Sequence, residues 1–187
     1  VRSVFDQYAS KFDAALEALS YSAPQKLLEA VGSVCGEQKR PMQFRTMLDL
    51  GCGTGLSGEA FRPLVEWMEG VDLSPAMTEQ ARRKNLYDQL GIGDLTESLD
   101  VHSRADARFN LIVAADVFVY CADLTLIATM VADLLAEGGL FAFTVETHDD
   151  GGVLLGPKLR YAHGERHVRE ALEAAGLTTL RLQPVST

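Results

Sequence analysis

The chain has 187 residues, 47% hydrophobic and 23% charged, which suits one domain with a sizeable core. Its net charge of −9 argues against nucleic acid as a partner, and no apolar run is long enough to span a bilayer. The 3 cysteines, Cys35, Cys52 and Cys121, form no CxxC pair, which argues against a zinc site or disulfide framework and fits a reduced, cytoplasmic setting.

No basic segment followed by an apolar stretch marks a secretory leader. The chain begins with Val1 rather than Met, so a leader removed upstream stays open. In SVFDQYASKFDAAL, Phe5, Tyr8, Phe12 and Leu16 fall at helical spacing. A second helix starts near Pro24, with Leu27, Leu28, Val31 and Val34 on one face. A loop follows over 36–41, and then strands and helices alternate. Strands are predicted over 46–50, 67–73, 90–93, 109–116, 139–146 and 177–182. Helices are predicted over 55–62, 75–84 (behind Ser74 as N-cap), 124–135 and 164–175. This alternation predicts an α/β fold whose parallel sheet is covered on both faces, with ligands beyond the C-terminal ends of its strands.

One loop carries the chemistry. Gly53-Thr54-Gly55-Leu56-Ser57-Gly58 matches GxGxxG, so a dinucleotide-binding oxidoreductase using NAD(P) is a competing reading. The run is, however, Asp49-Leu50-Gly51-Cys52-Gly53-Thr54-Gly55, with a carboxylate where the strand ends. A carboxylate there repels a pyrophosphate at the helix N-terminus and attracts an ammonium group. Asp72, 23 residues on, ends the second strand and can accept both hydroxyls of a ribose. Together they describe a nucleoside with an amino-acid tail, which is S-adenosylmethionine. The competing reading of Asp49 is a cap for the following helix.

LDLGCGTG and GVDLSPAM resemble the first two motifs of the class I S-adenosylmethionine-dependent methyltransferases. Gly93-Asp94-Leu95 resembles the third, LIVAADVFVY the fourth, and LLAEGGLFAFTVE the entry into strand five. The opening FDQYASKFD and the later RYAHGERHVREALEAAG resemble the TPR-repeat-associated methyltransferases, related to the ubiquinone-biosynthesis group. The likeness covers about residues 1–182 and implies a doubly wound, mostly parallel Rossmann-like sheet. It divides residues 1–187, read as one methyltransferase domain, into a helical cap (1–40) and a cofactor-binding core (41–187).

The resemblance implies that Gly51, Gly53 and Gly55 cradle the methionine part of the cofactor while Asp49 binds its amino group. Leu73 and Met77 would pack on adenine, and Asp94 and the Leu95 amide would bind its polar edge. Asp116, Val117 and Tyr120 would lie beneath the sulfonium, with Tyr8 and Phe12 closing over it. Core packing, a surface loop and helix starts are the competing readings for these positions. Candidate bases for a small-molecule methyl acceptor are His148, Tyr161, His163 and Asp116. Lys158, Arg160, His163, Arg166, His167 and Arg169 form a basic stretch that attracts an anion or is simply a solvated face. No metal is expected, and a module that binds the cofactor without catalysis is a third reading.

Such methyltransferases usually end on a sixth strand and an antiparallel seventh. Here Leu177 to Leu182 would begin the sixth, and Pro184 is a poor interior-strand residue. The seventh strand is therefore expected to be missing, the natural chain to continue past Thr187, and the open flank of GLFAFTVE to permit a homodimer.

Overall fold

The structure is a computed structural model, and it describes residues 2–186. The N-terminal segment folds as helices α1 (Arg2–Tyr8), α2 (Phe12–Ala18) and α3 (Ala23–Glu37). Then follow β1 (Phe44–Leu50), α4 (Leu56–Phe61), β2 (Val65–Asp72), α5 (Pro75–Arg83), β3 (Gln89–Ile92), α6 (Leu95–Arg104) and β4 (Phe109–Ala114). The chain ends with α7 (Leu124–Leu134), β5 (Leu135–Phe143), a hairpin of β6 (Val153–Leu155) and β7 (Tyr161–His163), and α8 (Glu165–Ala174).

β1 to β5 form one parallel sheet in the order β3-β2-β1-β4-β5. Strands covered on both faces are apolar at nearly every position, and here alternate residues feed opposite layers. Leu48, Leu50, Ile112 and Ala114 pack under α6, α7 and α8 through Leu99, Ile127, Val131, Val168 and Leu172. Met47, Met68, Leu111 and Val113 pack on the other face under α3 and α4 through Leu27, Val31, Val34 and Phe61. Each such side chain, fully buried, contributes roughly 1.5–3 kcal/mol. Chain direction across the sheet reverses between β1 and β4, which makes their C-terminal ends the switch point.

Ser74 is the N-cap of α5 as expected, its Oγ accepting from the Met77 amide at 3.1 Å. Three elements were not expected from the sequence: α6, β6 and β7. The expected sixth strand is corrected, because residues 177–186 carry no helix or strand. Leu177 and Leu182 satisfy their hydrophobicity by packing on the α7–α8 layer, and Arg181 reaches Glu37 at 3.0 Å. Apolar residues of this segment thus find cover without a ladder, and Pro184 offers no amide to one. Among the described residues β5 is an edge strand of the main sheet.

His102 of α6 sets Nδ1 2.7 Å from the Ser98 carbonyl and Nε2 2.9 Å from the Glu69 carboxylate of β2. A backbone carbonyl and an ionised carboxylate both accept, so the arrangement favours the doubly protonated ring. The Glu69 contact raises the pKa of His102, while the same contact lowers that of Glu69. A histidine pKa raised by folding stabilises the fold below its ordinary value near 6.5 and stops doing so as pH rises through the folded value. Glu69 stays ionised throughout that window. His102→Ala should therefore lower the melting temperature more at pH 5.5 than at pH 8.5, which paired thermal denaturation checks.

Candidate functional site

The loop after β1 is tied to the end of β2. The Cys52 amide donates to the Val71 carbonyl at 2.9 Å, extending the ladder by a rung. Asp72 then clamps two turns at once: Oδ2 accepts from the Gly53 amide at 2.9 Å and Oδ1 from the Ser74 amide at 2.8 Å. Burial pushes the Asp72 carboxyl above its ordinary pKa, these two amides oppose that, and the charge of Asp6 adds to it.

The loop glycines answer to different neighbours. Gly51 has φ +68°, and a Cβ there would lie 2.4 Å from Val117 Cγ2, so the loops after β1 and β4 touch only because it has no side chain. Gly53 also has a positive φ, +54°, yet a Cβ there would meet nothing within 4 Å. No protein atom requires its bareness, and its exposed backbone face is where another molecule can lie close. Cβ atoms at Gly55, Gly58 and Gly70 would come within 3.2, 2.5 and 2.8 Å of the Tyr87 side chain. An open cleft of about 180 Å³ lies beside the loop, lined by Tyr21, Pro24, Gln25, Leu56, Glu59 and Ala60.

Asp49, at the end of β1, is 1% exposed. Its Oδ2 accepts from the Tyr87 hydroxyl at 2.6 Å. Burial pushes its pKa up to about 7, the Tyr87 bond opposes the rise, and the charge of Asp72 adds to it. It belongs to no ion pair among the described residues. Cys52 beside it is held a neutral thiol by burial and by the two carboxylates.

The N-terminal helices are fastened across this crevice by carboxylates. Asp6 accepts from Ser74 Oγ at 2.6 Å and from the Ala76 amide at 3.4 Å, at the start of α5. Asp13 accepts from Thr54 Oγ1 and pairs with Lys84 at 2.6 Å, and Lys84 also pairs with Glu59 at 2.8 Å. Phe5 meets Phe12 and Tyr120 edge-on at 6.3 and 5.8 Å. Tyr8, in contrast, is 60% exposed and points away from cover. Sequence reasoning missed Asp6, Asp13, Tyr21 and Tyr87. The Phe-Asp pair repeated seven residues apart, two helical turns, was a readable signal for the first two.

Beyond β4, Asp116 adopts φ +56°. Thr144 Oγ1 accepts from its amide at 2.8 Å and donates to its Oδ1 at 3.0 Å. Burial, and then the charge of Asp116, hold the Tyr21 phenol protonated far above its ordinary pKa. Arg160 stacks 5.9 Å over the Tyr120 ring and pairs with Glu146 at 2.9 Å.

Several expected site residues lie elsewhere or are already engaged. Met77 is 1% exposed and packs inward, whereas Leu73 is 37% exposed at the crevice side of β2's end. Asp94 caps α6, its Oδ1 accepting from the Thr96 amide at 2.9 Å, so Leu95 opens a helix rather than a loop. His148 uses both nitrogens locally, donating to the Gly152 carbonyl at 2.9 Å and accepting from the Asp150 amide at 3.2 Å. His163 is fully buried, with Nε2 3.2 Å from the Phe118 carbonyl, and burial lowers its pKa. Tyr161 sits half-buried in β7. Arg166 and Arg169 pair with Glu170 and Glu165 along α8, so this part of the basic stretch is a solvated face. Among the described residues no cluster of His, Cys, Asp and Glu can hold a metal ion, and no helix is long and apolar enough to cross a membrane.

Residues 16–182 match the family model described as a methyltransferase domain. Malonyl-[acyl-carrier protein] O-methyltransferase of Serratia marcescens is 28% identical over 180 residues, covering 96% of this chain and 65% of that protein. Ubiquinone biosynthesis O-methyltransferase of Coxiella burnetii is 26% identical over 121 residues, covering 65% of this chain and 52% of that one. The chain thus spans between about half and two thirds of the length of these two relatives. Among solved structures, an S-adenosylmethionine-dependent methyltransferase from Clostridium acetobutylicum superposes with a TM-score of 0.67 at 20% identity, covering 92% and 89% of the two chains. Magnesium protoporphyrin IX methyltransferase from Synechocystis, solved with S-adenosylmethionine bound, superposes with a TM-score of 0.69 at 16% identity, covering 100% and 90%. A family match over most of the chain, on a sheet that places a glycine loop and two carboxylates at its switch point, makes this chain a member of the methyltransferase-domain family.

Proposed function

We propose that this protein transfers the methyl group of S-adenosylmethionine to a small-molecule acceptor. The observation that carries the reading is the arrangement of two carboxylates without cationic partners among the described residues, the buried Asp49 and the half-buried Asp72, around the open face of Gly53. Such a site is complementary to a ligand bearing an ammonium at one end and vicinal hydroxyls at the other. It is hostile to the pyrophosphate of NAD. Bound there, the cofactor supplies a methyl group already activated on a sulfonium, so the protein has chiefly to bind, align and exclude water.

In this reading Asp49 receives the ammonium and the Gly51–Gly55 backbone lies against the amino-acid tail. Each Asp72 oxygen has accepted one amide proton and keeps a lone pair for a ribose hydroxyl. Leu73 meets the adenine face, with the buried Met77 behind it, and the start of α6 at Asp94 and Leu95 borders the ring edge. Val117, Asp116 and Tyr120 line the methyl side, and α1 and α2 close over it through Phe5 and Phe12. The named relatives favour an oxygen nucleophile as acceptor. Where that oxygen carries a proton, Asp116 is the base best placed to take it, because His148 and His163 are engaged or buried. The same reading sets the enzyme in the cytoplasm and, through the edge of β5, allows a homodimer, which light scattering on the purified protein checks.

Calorimetric titration should show micromolar binding of S-adenosylhomocysteine and none of NAD. The ligand ammonium requires ionised Asp49, whose pKa is about 7, so affinity should be about tenfold higher at pH 8 than at pH 6. Tighter binding of NAD, or equal affinity at both pH values, would overturn the assignment. Asp72→Ala removes hydrogen bonds to a charged group, worth roughly 1.5–3 kcal/mol each, and should weaken S-adenosylhomocysteine at least about tenfold in a protein that still unfolds cooperatively.

A further inference from the structure

Tyr87 lies in the connection between α5 and β3, outside every motif that marks the site. Three glycines from separate parts of the fold make room for it. Gly55 ends the loop after β1, Gly58 lies in α4, and Gly70 lies in β2, and a Cβ on any of them would press on the Tyr87 side chain. The ring is thereby gripped between the loop, a helix and a strand, and its hydroxyl ends 2.6 Å from Asp49 Oδ2. That length is typical of a hydroxyl donating to an ionised carboxylate.

We propose that Tyr87 is a positioning residue for methyl transfer: its buried phenol fixes the Asp49 carboxylate and favours the ionised form that the ligand's ammonium group needs. This inference rests on the reading of Asp49 given above. The other groups around Asp49 all work against ionisation or are neutral. Asp72 on β2 is anionic, Cys52 in the loop is a thiol, and Tyr21 ahead of α3 is a protonated phenol. Tyr87 is thus the group on hand that favours the charged form while satisfying one of its oxygens. With one oxygen held, Asp49 retains its other oxygen for the ligand in a fixed orientation, which is how a supporting residue raises the precision of a site.

The test measures the dissociation constant of S-adenosylhomocysteine from pH 5.5 to pH 9 for the wild type, Tyr87→Phe and Asp49→Asn. Tyr87→Phe keeps the ring that the glycines accommodate and removes only the hydroxyl. It should bind about tenfold more weakly at pH 7, with the midpoint of its pH profile moved upward and the deficit shrinking toward pH 9. A Tyr87→Phe profile equal to wild type, or lowered by one constant factor at every pH, overturns the proposal. Asp49→Asn should bind weakly with a flat profile, whereas wild-type affinity in that variant would overturn the Asp49 reading itself. A chain carrying 3-fluorotyrosine at position 87, a stronger donor on a closely similar ring, should move the midpoint to lower pH. An unmoved midpoint there overturns the proposal independently of how Tyr87→Phe folds.

Discussion

Burying a carboxylate without a cation works against folding, and the site is organised around that cost at Asp49. Its pKa is raised by folding, so its contribution to stability is complete at low pH and is lost as the pH rises through about 7. The loss amounts to roughly 1.4 kcal/mol per pH unit while the group titrates. A fold keeps such a residue when something outside the fold repays it. The surroundings limit the damage without removing it: one oxygen is satisfied by Tyr87, and the neighbouring cysteine stays neutral.

The clamp at Asp72 and the strap at the N-terminus are two answers to a second problem. A loop of glycines has high conformational entropy and must nonetheless present a fixed surface. Asp72 holds the loop from the side of the sheet, through the Gly53 amide. The strap holds it from the solvent side, where Asp13 takes the Thr54 hydroxyl. Asp6 works the same way one element further on, at the start of α5. These contacts are polar and partly exposed, unlike the apolar layers beneath the sheet. The strap is therefore joined to the site by hydrogen bonds that compete with water, while the sheet is joined to its helices by burial.

The fold was largely legible because strands buried on both faces have an unmistakable composition and because apolar residues recur at helical spacing in α3, α7 and α8. α6 escaped notice because LTESLDVHSR has one fully buried residue, Leu99, and is anchored by polar contacts. The 177–182 segment deceived in the opposite sense, since its leucines pack without pairing. In the site, Asp49, Asp72 and the glycines could be read from local spacing. Tyr87 and Tyr21 could not, because each acts across the fold on a partner far along the chain, and Asp6 and Asp13 left only the repeated Phe-Asp pair as a trace.

The pocket around Tyr87 ties together positions that sequence order keeps far apart. Gly58 is bare because of one ring alone, Gly70 answers to that ring and to Leu90 together, and Gly55 is held both by the ring and by its own φ of +95°. If position 87 shrinks, Gly58 is released, Gly70 still meets Leu90, Gly55 stays fixed by its backbone, and Asp49 loses its hydroxyl partner in the same step. Drift at position 58 is thus conditional on position 87. Across a lineage positions 58 and 87 should change together or not at all, a joint signature of one aromatic plug.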